Sequence, residues 1–193
     1  MKRSFALVLA AMFTLSLLAF ARPVAAAISQ TTITMRVSGC EGCTIIPATT
    51  PADSTEIYNG PRTKVKNGFA SFVVPTAMTT GMYFAIEAAW KSEINAEPLI
   101  VFQYKGATAG GTVSKADAKS YKKASPCWSG TSASTAEIAV TVRRVWMPAF
   151  PPKDGARTQV PLAWVAPTQN ALAPFWPVIK GVLAVQDSVE CAV

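Results

Sequence analysis

The stretch Thr31-Thr-Ile-Thr-Met-Arg-Val-Ser-Gly-Cys-Glu-Gly-Cys-Thr44 predicts the first β-strand of this chain and a tight turn that carries two cysteines. Apolar and polar residues alternate over residues 31–37, and a period of two is typical of a half-buried strand. Gly39 and Gly42 flank the cysteines and permit a sharp reversal of the backbone. We therefore expect a strand that runs directly into a C-x-x-C turn.

The chain contains four cysteines, namely Cys40, Cys43, Cys127 and Cys191. In an exported protein, four cysteines indicate two disulfides, and they allow three pairings that the sequence does not decide. We favour Cys40–Cys43 and Cys127–Cys191, because neighbouring thiols meet first in an oxidising compartment. The long second loop would contribute about 4 kcal/mol in the chain-entropy model, and the short first loop much less.

The first 27 residues have the layout of a secretory signal peptide. Lys2 and Arg3 precede an uncharged apolar run over residues 5–20, and Val24-Ala-Ala-Ala27 supplies small residues for cleavage after Ala27. The alternative is a membrane anchor, but the run is short of the roughly 20 apolar residues that span a bilayer. We predict a secreted, extracellular chain with no membrane span after cleavage.

The charge of the mature chain excludes some classes of partner. The full sequence carries a formal net charge of +7, and without the leader 15 basic residues face 11 acidic ones, which leaves about +4. This mild excess favours weak attraction to anionic polymers. Nucleic-acid binding needs a clustered and strongly basic face, so we expect no nucleic-acid partner.

Alternating segments and turn residues predict a chain built from short strands. The clearest is the hairpin of residues 62–74 around Asn67-Gly68, the dipeptide preferred in type I′ turns. Further predicted strands lie at residues 44–46 (ending at Pro47), 82–86, 99–104, 137–146, 160–165 and 182–185. Ser114 and Asp117 resemble a capping box and predict one short helix over residues 115–123, stopped by Pro126.

These elements predict an all-β fold, a single antiparallel β-sandwich of immunoglobulin-like type with one short helix and two disulfides. One domain would cover residues 28–193, and its C-terminal segment, about residues 147–193, is rich in proline and aromatic residues. Half of the residues are hydrophobic, which is enough for a buried core.

The sequence contains no histidine. Catalysis by Ser-His-Asp or Cys-His groups and metal binding through histidine are therefore excluded. A zinc site would need Cys127 and Cys191 to converge on the first cysteine turn, whereas metal ligands are normally paired locally. We predict no cofactor, no metal and no catalytic residue.

Two catalytic hypotheses have less support in the sequence than the non-catalytic interpretation. Cys40 and Cys43 could form the redox pair of a thiol-disulfide oxidoreductase, although active pairs usually lie at a helix N-terminus and residues 44–47 predict a strand. Ser120 and Lys123 match the S-x-x-K pattern of penicillin-binding proteins, but the companion Ser-Asp-Asn and Lys-Thr-Gly motifs are missing.

Basic residues provide the first set of candidate ligand contacts. Arg62, Lys64 and Lys66 alternate along one predicted strand face. A second set would share a face of the predicted helix, or lie beside it: Lys115, Lys119, Lys122 and Lys123. Together the two sets could bind an anionic cell-wall polymer, and otherwise they are two solvated faces.

Aromatic residues are the other candidate ligand contacts, besides the basic residues. Platforms for sugar rings or peptides could come from Trp128, Trp146, Trp164, Phe175 and Trp176, although a sandwich also needs large core residues. Trp176 lies in Pro174-Phe-Trp-Pro177, where flanking prolines predict an exposed loop. It is the preferred aromatic contact.

Five segments carry a family resemblance: Val37-Ser-Gly-Cys-Glu-Gly-Cys-Thr44, Lys64-Val-Lys-Asn-Gly68, Tyr104-Lys-Gly106, Cys127-Trp128, and Gln186-Asp187 before Cys191. Through its V-x-G-C-x-G-C-T motif above all, the chain resembles a group of uncharacterised exported proteins of high-GC Gram-positive bacteria. The resemblance implies a signal peptide, disulfides and a β-rich fold, and it implies no activity and no catalytic residues.

The sequence thus favours a secreted, non-enzymatic binding or structural module at the cell envelope. Its partner would be an anionic cell-wall polymer, a polysaccharide or a protein. The alternative function is that of an extracellular enzyme, such as a thiol-disulfide oxidoreductase centred on Cys40 and Cys43.

Overall fold

The structure is a computed structural model, and it describes residues 29–50, 56–90, 98–148, 155, 157–167, 182, 183 and 191. The predicted signal peptide, residues 1–27, lies outside the described residues, as does most of the C-terminal segment after residue 167. The protein is mostly β, with one short α-helix and two disulfides among the described residues.

The strands and the helix follow one another in this order: β1 Gln30–Ser38, β2 Thr44–Thr49, β3 Tyr58–Asn59, β4 Thr63–Lys64, β5 Phe69–Pro75, β6 Tyr83–Glu87, β7 Gln103–Tyr104, α1 Lys115–Lys119, β8 Ala124–Ser125, β9 Thr135–Pro148 and β10 Arg157–Val165. A short 3-10 turn at Thr76–Met78 follows β5.

The first strand lies in a four-stranded sheet with the order β10-β9-β1-β5. Its side chains alternate between buried and more exposed positions, as its sequence predicts, and Ile33, Met35 and Val37 point into the core. β1 pairs antiparallel with β5 and parallel with β9. The sequence predicts an antiparallel sandwich, and the ladder between β1 and β9 is a parallel exception to it.

The second sheet is organised around β2, which pairs with β3, β4 and β6. β2 does not end before Pro47, as the sequence predicts, but continues to Thr49. Proline lacks the N–H that a central strand needs, and it is tolerated here because it lies between the segments that pair with β4 and β3. Its carbonyl oxygen still accepts a hydrogen bond from Gly60 N at 2.8 Å.

The Asn67-Gly68 hairpin joins the two sheets. Both residues have positive φ, 52° and 76°, as a type I′ turn requires, and Lys66 and Phe69 exchange both backbone hydrogen bonds. Beyond this pair the arms separate, because β4 pairs with β2 in one sheet and β5 pairs with β1 in the other. The predicted Asn67-Gly68 turn is confirmed, but the predicted arms of the hairpin do not form one ladder, because the chain changes sheets at this turn.

Two clusters of buried side chains form the core. The first draws side chains from both four-stranded sheets, and its centre contains neighbouring aromatic rings of Phe84, Phe102 and Trp128. The second lies around Leu162 on β10 and includes Ala118 of α1 and both members of the Cys127–Cys191 bridge. Residues of β10 enter both clusters, so this strand is buried on both faces.

Residues 99–104 do not form the continuous strand that their apolar sequence predicts. Leu99 bridges to β6, Val101 bridges to β10, and only Gln103–Tyr104 forms a strand, with β8. All six residues are buried. The segment is apolar because it packs against β6, β10 and β8 in turn, and not because it forms one strand of a single sheet.

The helix is shorter than its sequence predicts. Ser114 caps it, with the Asp117 N–H donating to the Ser114 hydroxyl at 3.1 Å, but α1 ends at Lys119 rather than at residue 123. A turn over residues 120–123 follows, and the chain enters β8 before Pro126 is reached. Of the predicted strand at residues 182–185, only Val182 and Leu183 are described, and they lie in a turn.

Candidate functional site

The first disulfide joins Cys40 to Cys43 in a buried turn. The two cysteines are 3% and 0% exposed, and the chain continues from Cys43 into β2. No helix begins at the bridge, whereas redox-active cysteine pairs usually lie at a helix N-terminus. The surroundings therefore suit a structural bridge better than a redox pair.

Glu41, inside the same turn, binds the hairpin turn. Its two carboxylate oxygens accept hydrogen bonds from the backbone N–H groups of Asn67 and Gly68, at 2.9 and 3.0 Å. Val65 N also donates to Cys43 O at 2.8 Å. The sequence did not predict this contact, because no local pattern pairs residues so far apart.

The second disulfide joins Cys127 to Cys191, and both cysteines are buried in the second core cluster. The two bridges have the pairing that the sequence favoured. The described residues contain no group of three or more His, Cys, Asp or Glu side chains that could hold a metal ion.

The segment that carries Arg62, Lys64 and Lys66 is only partly available to a ligand. Arg62 is bound to the carboxylate of Glu87. Lys64 and Lys66 are exposed, on either side of the buried Val65. The alternation predicted for this strand is present, but one of its three positive charges is already paired.

The lysines near α1 do not share one helix face. Lys122 and Lys123 lie beyond the end of the helix, and Lys123 Nζ is 2.9 Å from Asp117 Oδ1. The hydrogen bonds from Lys123 and Ser114 hold the pKa of Asp117 below its ordinary value. Lys123 of the S-x-x-K match is thus engaged by an aspartate and Ser120 caps the helix C-terminus, which is not the geometry of a serine nucleophile and its base.

Tyr104 and the half-buried Tyr58 both have a raised pKa. Burial raises the pKa of Tyr104, whose hydroxyl donates to Val165 O at 2.7 Å, and burial also raises the pKa of Tyr58. Tyr104 therefore acts as a buried hydrogen-bond donor that stays protonated at neutral pH.

The predicted aromatic contacts are distributed between core and surface. Trp128 is buried in the first cluster, and Trp164 packs half-buried against the second. Trp146, on β9, is 53% exposed. Phe175 and Trp176 lie outside the described residues.

A second tryptophan, Trp90, which gave no signal in the sequence, contacts the same part of the β9–β10 ladder. Trp90 Nε1 donates to Gln159 O at 3.1 Å, and the Arg144 guanidinium lies 4.2 Å from the centre of the Trp90 ring. Trp146 is the register partner of Gln159, and Arg144 and Trp146 point to the same side of β9 because strand side chains alternate. We call Trp90, Arg144 and Trp146 the Trp90–Trp146 patch.

No helix among the described residues is long and apolar enough to cross a membrane. Comparison of the chain with protein-family models, with curated proteins and with solved structures found no match.

Proposed function

We propose that this chain is a secreted, non-enzymatic binding or structural module that acts at the bacterial cell envelope. The single observation that carries the proposal is the Trp90–Trp146 patch, where an exposed indole lies beside an arginine that is stacked on a second indole. An indole has a large apolar face, and an arginine adds hydrogen-bond donors and positive charge. Such a surface suits a polysaccharide or an anionic polymer.

The patch lies on a rigid support. Arg144 and Trp146 belong to the β9–β10 ladder, which runs over nine residue pairs, and Trp90 is tied to β10 through Gln159. Binding residues held on paired strands lose little conformational freedom when a ligand binds. This arrangement favours a preformed contact surface over a mobile one.

Two exposed lysines would add a weaker, electrostatic contribution. Lys64 and Lys66 are exposed, whereas the charge of nearby Arg62 is paired with that of Glu87. Their attraction to an anionic polymer would be screened by salt, because exposed charges interact only within about 8–10 Å at physiological ionic strength.

The fold we propose is a β-sandwich of immunoglobulin-like type, covering residues 28–193. Two observations support it: the first core cluster draws side chains from both four-stranded sheets, and β1 pairs with the late strand β9 as well as with β5. Folds of this type present binding residues on a stable sheet scaffold.

Export is the remaining part of the proposal. The layout of residues 1–27 and the resemblance to exported proteins of high-GC Gram-positive bacteria support it. Two disulfides support it as well, because disulfides persist in oxidising compartments outside the cytosol.

Co-sedimentation of the mature chain with purified cell walls of a high-GC Gram-positive bacterium tests the proposal. We expect binding that falls only in part as the salt concentration rises, since stacking on the patch resists screening and attraction to the lysines does not. A Lys64→Ser/Lys66→Ser variant should lose the salt-sensitive part alone. Absence of binding at every salt concentration would refute the envelope proposal.

A further inference from the structure

A groove runs along one edge of β9, on the opposite half of this strand from the Trp90–Trp146 patch. It has a volume of about 310 Å³. It is lined by residues 135–139 of β9, by residues 127–131, and by Val165 and Ala166. Phe102 and Trp128 belong to the lining as well.

The groove exists because β10 is shorter than its neighbour. The β9–β10 ladder ends at the pair Val140 and Val165, and β9 extends five residues further, from Thr135 to Ala139. The chain leaves the sheet after Val165, and Pro167 O accepts a hydrogen bond from Gly110 N at 2.9 Å. A stretch of strand edge is thus left without β10.

The direction of the backbone groups on this edge follows from the ladder with β1. Thr32 N donates to Ser134 O at 2.8 Å, and Thr32 is the register partner of Thr135. In a parallel ladder, alternate residues bond to the same neighbouring strand. The even-numbered residues of β9 therefore face β1, and Thr135, Glu137 and Ala139 direct their N–H and C=O groups toward the groove.

No backbone hydrogen bond between described residues uses these three edge positions. All three residues are exposed. Strand residues two apart repeat at about 6.6 Å, which is the repeat of donors and acceptors along an extended peptide. Such an edge is a template for an added strand.

The lining segment of residues 127–131 is held in place by contacts within the chain. The Thr79 hydroxyl accepts from Thr131 N at 3.1 Å, its single proton lies between Thr76 O at 2.8 Å and Thr131 O at 3.0 Å, and Thr79 is fully buried. Next to it, a Cβ on Gly130 would lie 2.7 Å from Thr80 N, so this segment is packed closely on the 3-10 turn. A preformed wall reduces the entropy that binding costs.

From the free edge and the apolar lining, we infer that this groove binds a short, extended, uncharged peptide segment of another protein, as a strand added to β9 beyond the end of β10. The added strand continues the β9–β10 ladder, and its alternate side chains contact Trp128, Phe102 and Ile138. Glu137 is the one charged residue in the lining, and its carboxylate is bound to Arg36 at 3.1 Å. The lining thus offers an uncharged peptide apolar contacts and no unpaired charge. This inference does not depend on the envelope proposal.

Blocked hexapeptides that alternate threonine with valine, leucine or phenylalanine test the inference. In backbone NMR spectra of the full mature chain, we expect millimolar or tighter binding, with amide shifts at Thr135, Glu137 and Ala139. Methylation of the peptide's backbone nitrogens should weaken binding about tenfold or more, since at least two hydrogen bonds are lost. No shift at millimolar peptide, or equal binding of the methylated form, would overturn the inference.

A pair of variants at one residue supplies the protein-side control. Ala139→Pro removes the N–H that points to the groove and leaves the ladder with β1 intact, so peptide binding should fall about tenfold. Ala139→Val keeps that N–H and should bind as the unmodified chain does. An equal loss of peptide binding in both variants would contradict a backbone contact at Ala139. If Ala139→Pro fails to fold, the comparison of the methylated and unmethylated peptides tests the backbone contact instead.

Discussion

The Glu41 carboxylate accepts a hydrogen bond from the Gly68 amide at 3.0 Å, and its other oxygen accepts one from the Asn67 amide at 2.9 Å. The contact joins the C-x-x-C turn after β1 to the hairpin turn where the chain changes sheets. Carboxylates that accept from backbone N–H groups form strong, charge-assisted hydrogen bonds. Glu41 therefore has a structural role next to the Cys40–Cys43 bridge.

Replacement of Glu41 should destabilise the fold. We expect Glu41→Ala to lower the free energy of unfolding by about 1–3 kcal/mol, because two hydrogen bonds to a charged group are lost. Urea unfolding measures the change. The matched control is Glu137→Ala, which removes an exposed ion pair with Arg36 and should cost less than about 1 kcal/mol. Equal losses in the two variants would contradict the structural role of Glu41.

Gly39 should tolerate no side chain. Its φ is +85°, and a Cβ there would lie 2.5 Å from Val142 O, so Gly39→Ala combines about 1–2 kcal/mol of backbone strain with about 1–3 kcal/mol of overpacking. Gly106 has a similar φ of +79°, but a Cβ there would meet no atom within 4 Å, so Gly106→Ala should show the backbone strain alone. Thermal unfolding of both variants compares them, and a Gly106→Ala variant as unstable as Gly39→Ala would count against the close contact with Val142.

The Asp117 carboxyl should titrate with a pKa below its ordinary value in the folded chain. The hydrogen bond from Lys123 is the largest cause, followed by that from Ser114. Because the folded pKa is the lower one, the stabilisation is present above the unfolded pKa and is lost as the pH falls through the folded pKa. NMR titration of the carboxyl carbon should show the pKa rising in Lys123→Ala and unchanged in Lys119→Ala. An unchanged pKa in Lys123→Ala would mean that the ion pair does not form in solution.

The Cys40–Cys43 bridge should resist modification in the folded chain. Both cysteines are buried, so brief treatment with a mild reductant and an alkylating agent should leave them unlabelled, while the same treatment in urea labels them. Mass spectrometry counts the labelled cysteines. Rapid labelling of Cys40 or Cys43 in the folded chain would favour the thiol-disulfide oxidoreductase over the binding module.

The sequence correctly predicted those structural features that depend on residues close together in the chain. The alternation of β1, the Asn67-Gly68 turn and the Ser114 cap depend on residues close together in the chain, and all three are present in the structure. Composition could also predict a β-rich chain, because strand formers and turn residues are spread along its length.

Long-range contacts account for what the sequence could not predict. Pro47 was expected to end β2, but its missing N–H faces a gap between two short partner strands. Trp90 gave no signal, because its place beside Arg144 depends on where the segment after β6 meets the β9–β10 ladder. The groove at Thr135–Ala139 depends on the length difference between two paired strands, which sequence periodicity does not report.

The most direct test of the envelope proposal compares two exposed aromatic residues at one high salt concentration. Trp146 is 53% exposed in the Trp90–Trp146 patch, and Tyr121 is 54% exposed in the turn after α1, so the two truncations remove similar exposed surfaces. In co-sedimentation with purified cell walls, Trp146→Ala should bind about tenfold less than the unmodified chain, within the range of interface anchor residues, and Tyr121→Ala should bind as the unmodified chain does. Equal binding by Trp146→Ala and the unmodified chain would contradict the role of the patch.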